Sequence, residues 1–506
     1  MLFNSFVFLY LYLPLALAGY FAIARLSREA AMLWLLVASI FFYGWWDSRY
    51  VALLVGSIVF NYMAGAAIAG SKRYRGSLLA IAIVANLAVL SWYKYANFFG
   101  SSVGALLGQQ WHALDIILPL GISFFTFTQI AFLVDVWKGE VKEYNFVHYA
   151  LFVTYFPHLI AGPVLHHKEM MPQFRRAVSY RPNLDDLTTG LLLFCIGLFK
   201  KVVLADSIQP YVAPVFDAPP GASLTLDEAW AGALAYTFQL YFDFSGYSDM
   251  AVGLSRMFGI VLPLNFNSPY KAVDLIEFWR RWHMTLSRFL RDYLYIPLGG
   301  NRKGVARRYL NLLATMLLGG LWHGANWTFV IWGGLHGVYL IVNHAWLKFR
   351  GIDNSHVAGP FGHALAVVAT FLAVVIAWVF FRAQTFDAAW RVLSAMAGSQ
   401  GCHLPWETSA LFQTLGCVSN TREIYSDGNV VWLWICFSFA VVWGLPNSQQ
   451  ITESMNQWLF RAHHGGARKG KYLLASMLMG ALLVGLVVLS AISGSRGASE
   501  FIYFNF

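Results

Sequence analysis

Apolar stretches long enough to cross a bilayer recur along this chain, and that recurrence constrains its fold more than any single motif. Residues 2–23, 31–46, 50–70, 77–98, 146–162 and 187–205 make the first half of the series. Residues 230–260, 308–322, 325–345, 364–382, 429–446 and 472–492 make the second. A shorter stretch near 114–136, interrupted by Pro119 and Gly121, is open to a re-entrant reading, and brings the count to roughly eleven to thirteen hydrophobic elements. In hydrocarbon only helices and closed barrels satisfy their own backbone polar groups, and runs of this length are helical. The expected fold is therefore an all-α polytopic membrane protein. Composition agrees: of 506 residues, 58% are hydrophobic and 12% charged. A water-soluble globule has no interior large enough for that balance. The same balance excludes disordered, fibrous, nucleic-acid-binding and disulfide-scaffold classes.

No cationic segment or small-residue cleavage site precedes the first apolar run, so Leu2–Ile23 reads as a retained span. Short basic loops set the orientation. Arg25 and Arg28 follow the first span, Lys72, Arg73 and Arg75 the third; Arg302, Lys303, Arg307 and Arg308 form a later run, and Arg461–Lys471 precedes the last span. Alternation places these loops in the cytoplasm and both chain termini outside. The loops also account for the net charge of +10 without an anionic partner such as nucleic acid. Residues 1–492 read as one membrane-embedded domain and 493–506 as an outer tail. The loop near 399–428 also falls outside. Its Cys402 and Cys417 suit a disulfide in an oxidising compartment, or two unrelated thiols. No CxxC occurs, and Cys402-His403 has no companions at ligand spacing, so no metal site is expected.

Residues 241–336 depart from this apolar background. Tyr241–Met250 puts Asp243 and Asp249, with Ser245 and Ser248, inside an otherwise apolar element. A carboxylate at membrane depth faces a cavity or a partner. Structural and site roles both stay open for the two Asp, while helix–helix contact suits the two Ser better. Next, Phe278–Tyr295 interleaves Arg280, Arg281, Arg288 and Arg291 with aromatics. It reads as one amphipathic helix at the cytoplasmic interface, arginines outward and His283 inward. Further on, Gly319, Gly320 and Gly324 read as helix breakers around His323, which stands between Trp322 and Trp327. Broken backbone at membrane depth survives only around a protein-lined or water-filled cavity, and a His there is a functional-site hypothesis. For His336, a core ring satisfied by a carbonyl is the favoured reading.

At these residues the chain resembles the membrane-bound O-acyltransferase family, and within it the bacterial branch that O-acetylates polysaccharides such as alginate. The resemblance rests on Phe156–Pro163, Asp243–Asp249, Trp279–Ser287, Tyr295–Asn301 and Leu321–Asn326, and extends from the first span to the tail. It implies a ring of helices around a thin centre, with a cytoplasmic funnel meeting an outer one. It also implies that His323 is the catalytic residue and His283 the second polar residue of the tunnel; Asp243, Asp249, Asn326 and His336 are the candidate tunnel supports beside them. Arg280 and Arg281 would line the donor side. The tail Phe501-Ile-Tyr-Phe-Asn-Phe506 resembles a terminal aromatic hexapeptide of cell-envelope members. There the Tyr, here Tyr503, accepts the acyl group before it passes on. Asn505 stands where Gln is more common, and an aromatic interfacial belt is the alternative.

The activity so implied is transfer of acetyl from a cytoplasmic thioester, acetyl-CoA, across a bacterial inner membrane, with no bound cofactor. A periplasmic SGNH-like O-acetylation protein would be the partner and an alginate-like exopolysaccharide the final acceptor. Membrane lipid surrounds the chain and both termini are periplasmic. Peptidoglycan O-acetylation and D-alanyl transfer to teichoic acid are the alternatives. A transporter of polymer or lipid-linked units would also place Asp and His in the membrane. Against it, no duplicated pattern of broken helices marks two halves.

Overall fold

The computed structural model describes residues 1–141, 145–160, 162–351, 359–399, 401–403, 417–418, 430–458, 468–497 and 499–502, with backbone alone for 402–403, 417–418, 468–475 and 496. Among the described residues the architecture is helical. The exception is a two-residue parallel ladder pairing Cys402 with Cys417 and His403 with Val418. The ladder brings the two cysteine backbones into register; the disulfide expected as one option concerns side chains outside the described residues.

Among the described residues, five helices are long and apolar enough to cross a membrane: Arg49–Gly70, Arg75–Leu106, Leu184–Phe216, Gly359–Arg382 and Ser476–Ser495. The bent pair Val430–Gly444 and Ser448–Asn456 makes a sixth if it acts as one span. Fewer helices pass that test than the hydrophobic stretches counted in the sequence. Leu226–Met257, Val305–His323 and Trp327–Phe349 have the length, but they carry Asp, Asn, His, Gly and Trp along the run. Polar groups that lower hydropathy mark the helices bearing the candidate site residues.

The chain packs as two compact units, each discontinuous in sequence, where the sequence reads as a single membrane domain over 1–492. Met1–Phe199, Gly246–Asn265 and Ser448–Asn505 form the first; Lys200–Ser245 and Phe266–Asn447 form the second.

In the first unit, buried amides and glycines set the helix contacts. Asn61 and Asn86 exchange two hydrogen bonds, at 3.0 and 2.7 Å, between Arg49–Gly70 and Arg75–Leu90. Such pairs hold helices together where lipid tails compete with every apolar contact. Leu184–Phe199 lies backbone to backbone on residues 246–257: a Cβ on Gly190 would come within 2.6 Å of Gly253 O, and one on Gly197 within 2.5 Å of Gly246 O. The interruption expected at Pro119–Gly121 is a helix start. Gly121 takes φ +71° ahead of Ile122–Lys138, and a Cβ there would stand 2.9 Å from Leu159 O.

In the second unit, Val305–His323 and Trp327–Phe349 form a helical hairpin. Gly319 and Gly320, read from sequence as breakers, lie inside the continuous first helix. Gly320 is there because the second helix runs against it: its Cβ would meet Phe329 O at 2.2 Å, and one on Gly333 would meet Met316 O at 2.2 Å. Small residues that let two backbones touch are a membrane packing device. The hairpin therefore closes through its glycines, and the helix stops only after His323.

Candidate functional site

His323 is the last residue of its helix, and the turn after it is fixed from several sides. Gly324 continues in extended backbone, where a side chain would collide with the Phe329 ring at 2.1 Å. Asn326 caps the second helix: its Oδ1 accepts from the Thr328 amide at 3.1 Å, and its Nδ2 donates to Gln384 O at 2.7 Å. Asn326 thus acts on the turn, one residue short of the second helix. His323 is buried at 4% exposure. Its ring lies 4.9 Å from Trp322, 5.0 Å from Trp332 and 5.2 Å from Phe381, centroid to centroid.

His283 arrives from a different segment. The single amphipathic helix expected over 278–295 is broken: Leu275–Arg281 and Met284–Leu290 are separate helices, with Trp282 and His283 between them. The cause is local. His283 takes φ 42°, ψ 53°, a left-handed conformation that no right-handed helix can absorb. Asp274 starts the first helix by accepting from the Glu277 amide at 2.7 Å. A fully buried non-glycine residue in this conformation costs about 1–3 kcal/mol, a strain that clusters at functional sites. The His283 ring packs 4.8 Å from Phe244 and 6.4 Å from Trp322. Trp322 is therefore the ring that His283 and His323 share.

Trp332 links His323 to His336 in the same way, at 5.0 Å to each. The partner of His336 is an indole, not the carbonyl expected from sequence. Trp279 Nε1 donates to its Nδ1 at 3.3 Å, which assigns that nitrogen as the acceptor of a neutral ring. Three imidazoles thus alternate with two tryptophans, walled by Phe278, Phe381 and Trp378. A neutral imidazole in a water-poor aromatic enclosure suits proton transfer to and from a reacting hydroxyl.

The other candidate residues sit differently. Asp243 is engaged by Lys201, whose Nζ lies 2.6 Å from Asp243 Oδ1 and 2.9 Å from Asp206 Oδ1. Sequence reasoning named neither Lys201 nor Asp206. The available signal was two lysines in the apolar element 187–205, a position where charge demands a partner. They lie on the π-helical turn Lys200–Ala205. Asp249 belongs to the first unit, where Ser448 Oγ donates to its Oδ2. Arg281 is committed to Glu277 at 2.6 Å, one helical turn back, while Arg280 is exposed. Tyr503 lies outside the described residues. Two residues before it, in the first unit, Phe501 is buried at 1% exposure against Tyr247, ring to ring at 4.6 Å. Among the described residues, no group of three or more His, Cys, Asp or Glu is arranged to hold a metal ion.

Residues 74–383 match the membrane-bound O-acyltransferase family. Over 445 residues the chain is 44% identical to the peptidoglycan O-acetyltransferase of Helicobacter pylori, covering 81% of this chain and 82% of that protein. Over 404 residues it is 45% identical to a protein named Probable alginate O-acetylase AlgI from Azotobacter vinelandii, covering 78% of each. A teichoic acid D-alanyltransferase of Streptococcus thermophilus is 30% identical over 245 residues, covering 46% of this chain and 59% of that protein. The family match takes in His283, His323 and His336 and stops short of the tail. The chain belongs to the membrane-bound O-acyltransferase family and is a multi-pass membrane O-acetyltransferase.

Proposed function

We propose that this protein carries acetyl groups from cytoplasmic acetyl-CoA across a bacterial inner membrane to hydroxyls of an alginate-like exopolysaccharide. The observation that carries the reading is His323 at the helix end, sharing the Trp322 ring with His283. His323, as a neutral imidazole, takes the proton from the attacking hydroxyl as its oxygen closes on the thioester carbonyl. The C–S bond breaks, a C–O ester forms, and the proton passes from His323 to the departing CoA thiolate. His283 donates to the carbonyl oxygen as charge builds there, a role worth about 2–4 kcal/mol. Exposed Arg280 and the basic 299–308 loop suit the phosphates of coenzyme A, and Arg281 contributes less because Glu277 holds it.

Tyr503 is the first acceptor in this reading. A phenol needs such a base to attack, and the resulting aryl ester is an activated donor. In the second step a hydroxyl of a periplasmic SGNH-like partner, or of the polymer itself, attacks the ester carbonyl, and Tyr503 leaves as the phenol. Peptidoglycan is the second acceptor to consider, because the Helicobacter pylori relative matches over more of this chain than the alginate one. The test is purified protein in vesicles with radiolabelled acetyl-CoA, followed by mass spectrometry of the C-terminal peptide. Acetyl on Tyr503 that vanishes in His323→Ala supports donor, base and relay together. A His323→Ala protein with full acetyl transfer overturns the reading. Alginate and peptidoglycan oligosaccharides as competing acceptors decide the polymer.

A further inference from the structure

Two neighbouring helices of the first unit, residues 6–24 and Arg28–Gly44, leave between them an apolar groove of about 280 Å³. One wall carries Val7, Leu11 and Leu15. A spacing of four drifts around an α-helix of 3.6 residues per turn, but the wider π-helical turn Phe8–Tyr12 offsets the drift and keeps the three in line. The facing wall is Trp34, Val37, Phe41 and Trp45, at i, i+3, i+7 and i+11 on one helical face. Leu11, Leu15, Val37 and Phe41 are exposed along the rims, while Tyr12, Ala16 and Ala38 are buried in the floor. Both polar side chains along its depth are spent on the walls themselves. Tyr12 Oη donates to Ala38 O at 2.9 Å, and Trp34 Nε1 donates to Ala16 O at 3.1 Å. The two ends differ. At one, exposed Trp45 and Trp46 are followed by the ion pair of Asp47 and Arg49 at 2.6 Å, the marks of a membrane–water boundary. At the other, the Trp34 ring crosses to Gly19, 2.5 Å from where a Cβ would stand, and shuts the groove.

From Trp34 to Trp45 a helix rises about 16 Å, close to one leaflet of a hydrocarbon core about 30 Å thick. The groove therefore starts at the interface and stops near mid-membrane. Its volume over that length, 280/16, leaves a mean cross-section of about 18 Å², whereas a helix with side chains, about 10–12 Å across, needs about 80–110 Å². We propose that the groove binds one alkyl chain of a bilayer phospholipid, with the headgroup at the level of Trp45 and Arg49 and the methyl end against Trp34. The length selects a lipid of one leaflet, the width a single chain, and the satisfied Tyr12 and Trp34 a ligand without hydrogen-bonding groups. Lipid tails are as apolar as this lining, so the chain is held by dispersion contacts with two walls and a floor and not by leaving water. Its preference for the groove over surrounding lipid is accordingly modest, on the order of tenfold. The site is independent of which acyl acceptor the enzyme serves.

The test uses the full-length protein in phosphatidylethanolamine and phosphatidylglycerol vesicles. A trace of phosphatidylglycerol carries a photoactivated diazirine at the middle or the end of one acyl chain, and adducts are located by mass spectrometry. The mid-chain probe is expected on Leu11 and Phe41 and the chain-end probe on Leu15, Ala16 and Trp34. Both should exceed labelling of the exposed Leu365 and Val368 on Gly359–Arg382 by on the order of tenfold. Val37→Trp fills the groove from an exposed rim position and is expected to bring groove labelling down to that of Leu365, with melting in detergent near wild type. Leu11→Trp does the same from the other wall, should Val37→Trp fail to fold. Equal labelling of the groove and of Leu365 overturns the proposal, because the lipid there is then no more than the surrounding bilayer. Groove labelling unchanged in both filled variants overturns it too. A chain-end probe that marks Val7 and Trp45 overturns the placement of the chain, and crosslinks to a second copy without lipid adducts make the occupant protein.

Discussion

Two polar clusters in the second unit answer the same problem in opposite ways. Lys201, Asp206 and Asp243 carry formal charge at depth and close on one another at 2.6 and 2.9 Å. His283, His323 and His336 sit between tryptophan and phenylalanine rings as groups that are neutral until a proton moves. The contrast separates holding a fold from doing chemistry within it. A charge removed from water is tolerated once it is matched, and matching leaves it little freedom to react. An imidazole among aromatic walls needs no counter-ion in its resting state and keeps a nitrogen for a passing proton.

The comparison breaks first at His323. His323→Ala is expected to lower acetyl transfer by about a thousandfold, the scale of a lost general base, with detergent thermal stability near wild type. A large drop in melting temperature at retained activity would reverse the assignment of the two clusters. Lys201→Met is the mirror experiment. Leaving the buried Asp243 carboxylate unmatched beside the half-buried Asp206 is expected to cost about 3–5 kcal/mol of stability, and adding Asp243→Asn should recover part of it. A Lys201→Met protein with wild-type melting but no turnover would move the ion triad from scaffold to site. Gly320→Ala tests how the hairpin sets His323. A methyl aimed at Phe329 O is expected to cost about 1–3 kcal/mol, seen as a lower melting temperature together with reduced acetyl transfer. The smallest effect is at Trp279. Trp279→Phe removes the hydrogen bond to His336 and is expected to cost about 0.5–1.5 kcal/mol with a modest change in rate. A rate loss as large as that of His323→Ala would make His336 a second base.

Much of this was legible in the chain before folding. Runs of bilayer length gave the helical class, and isolated His and Asp in apolar surroundings pointed to residues 243–336. Four things were not legible, each for a physical reason. Lys201 and Asp243 are 42 residues apart, and pairing over that separation leaves no local pattern. Gly319 and Gly320 look like punctuation, because a glycine that ends a helix and one that admits a neighbouring helix are the same letter; only the 2.2 Å approach of Phe329 O tells them apart. At Trp282-His283 the opposite holds. The helix ends without glycine or proline, since the turn is set by tertiary packing around Phe244 and Trp322. The burial of Phe501 was invisible for the same reason, because neither an acyl relay nor an interfacial belt, the two readings of the tail, specifies which ring turns into protein.

The left-handed turn at position 283 also narrows which letters the site can accept. Glycine, asparagine and aspartate enter that backbone region readily, but none offers an imidazole; the other large ring residues would bring bulk without its nitrogens. Saturation mutagenesis at position 283 should therefore return two losses that no single replacement repairs, folding for most side chains and turnover for the few that fold. A lineage descended from this enzyme can redesign its lipid-facing helices one letter at a time, whereas here it has almost nowhere to step.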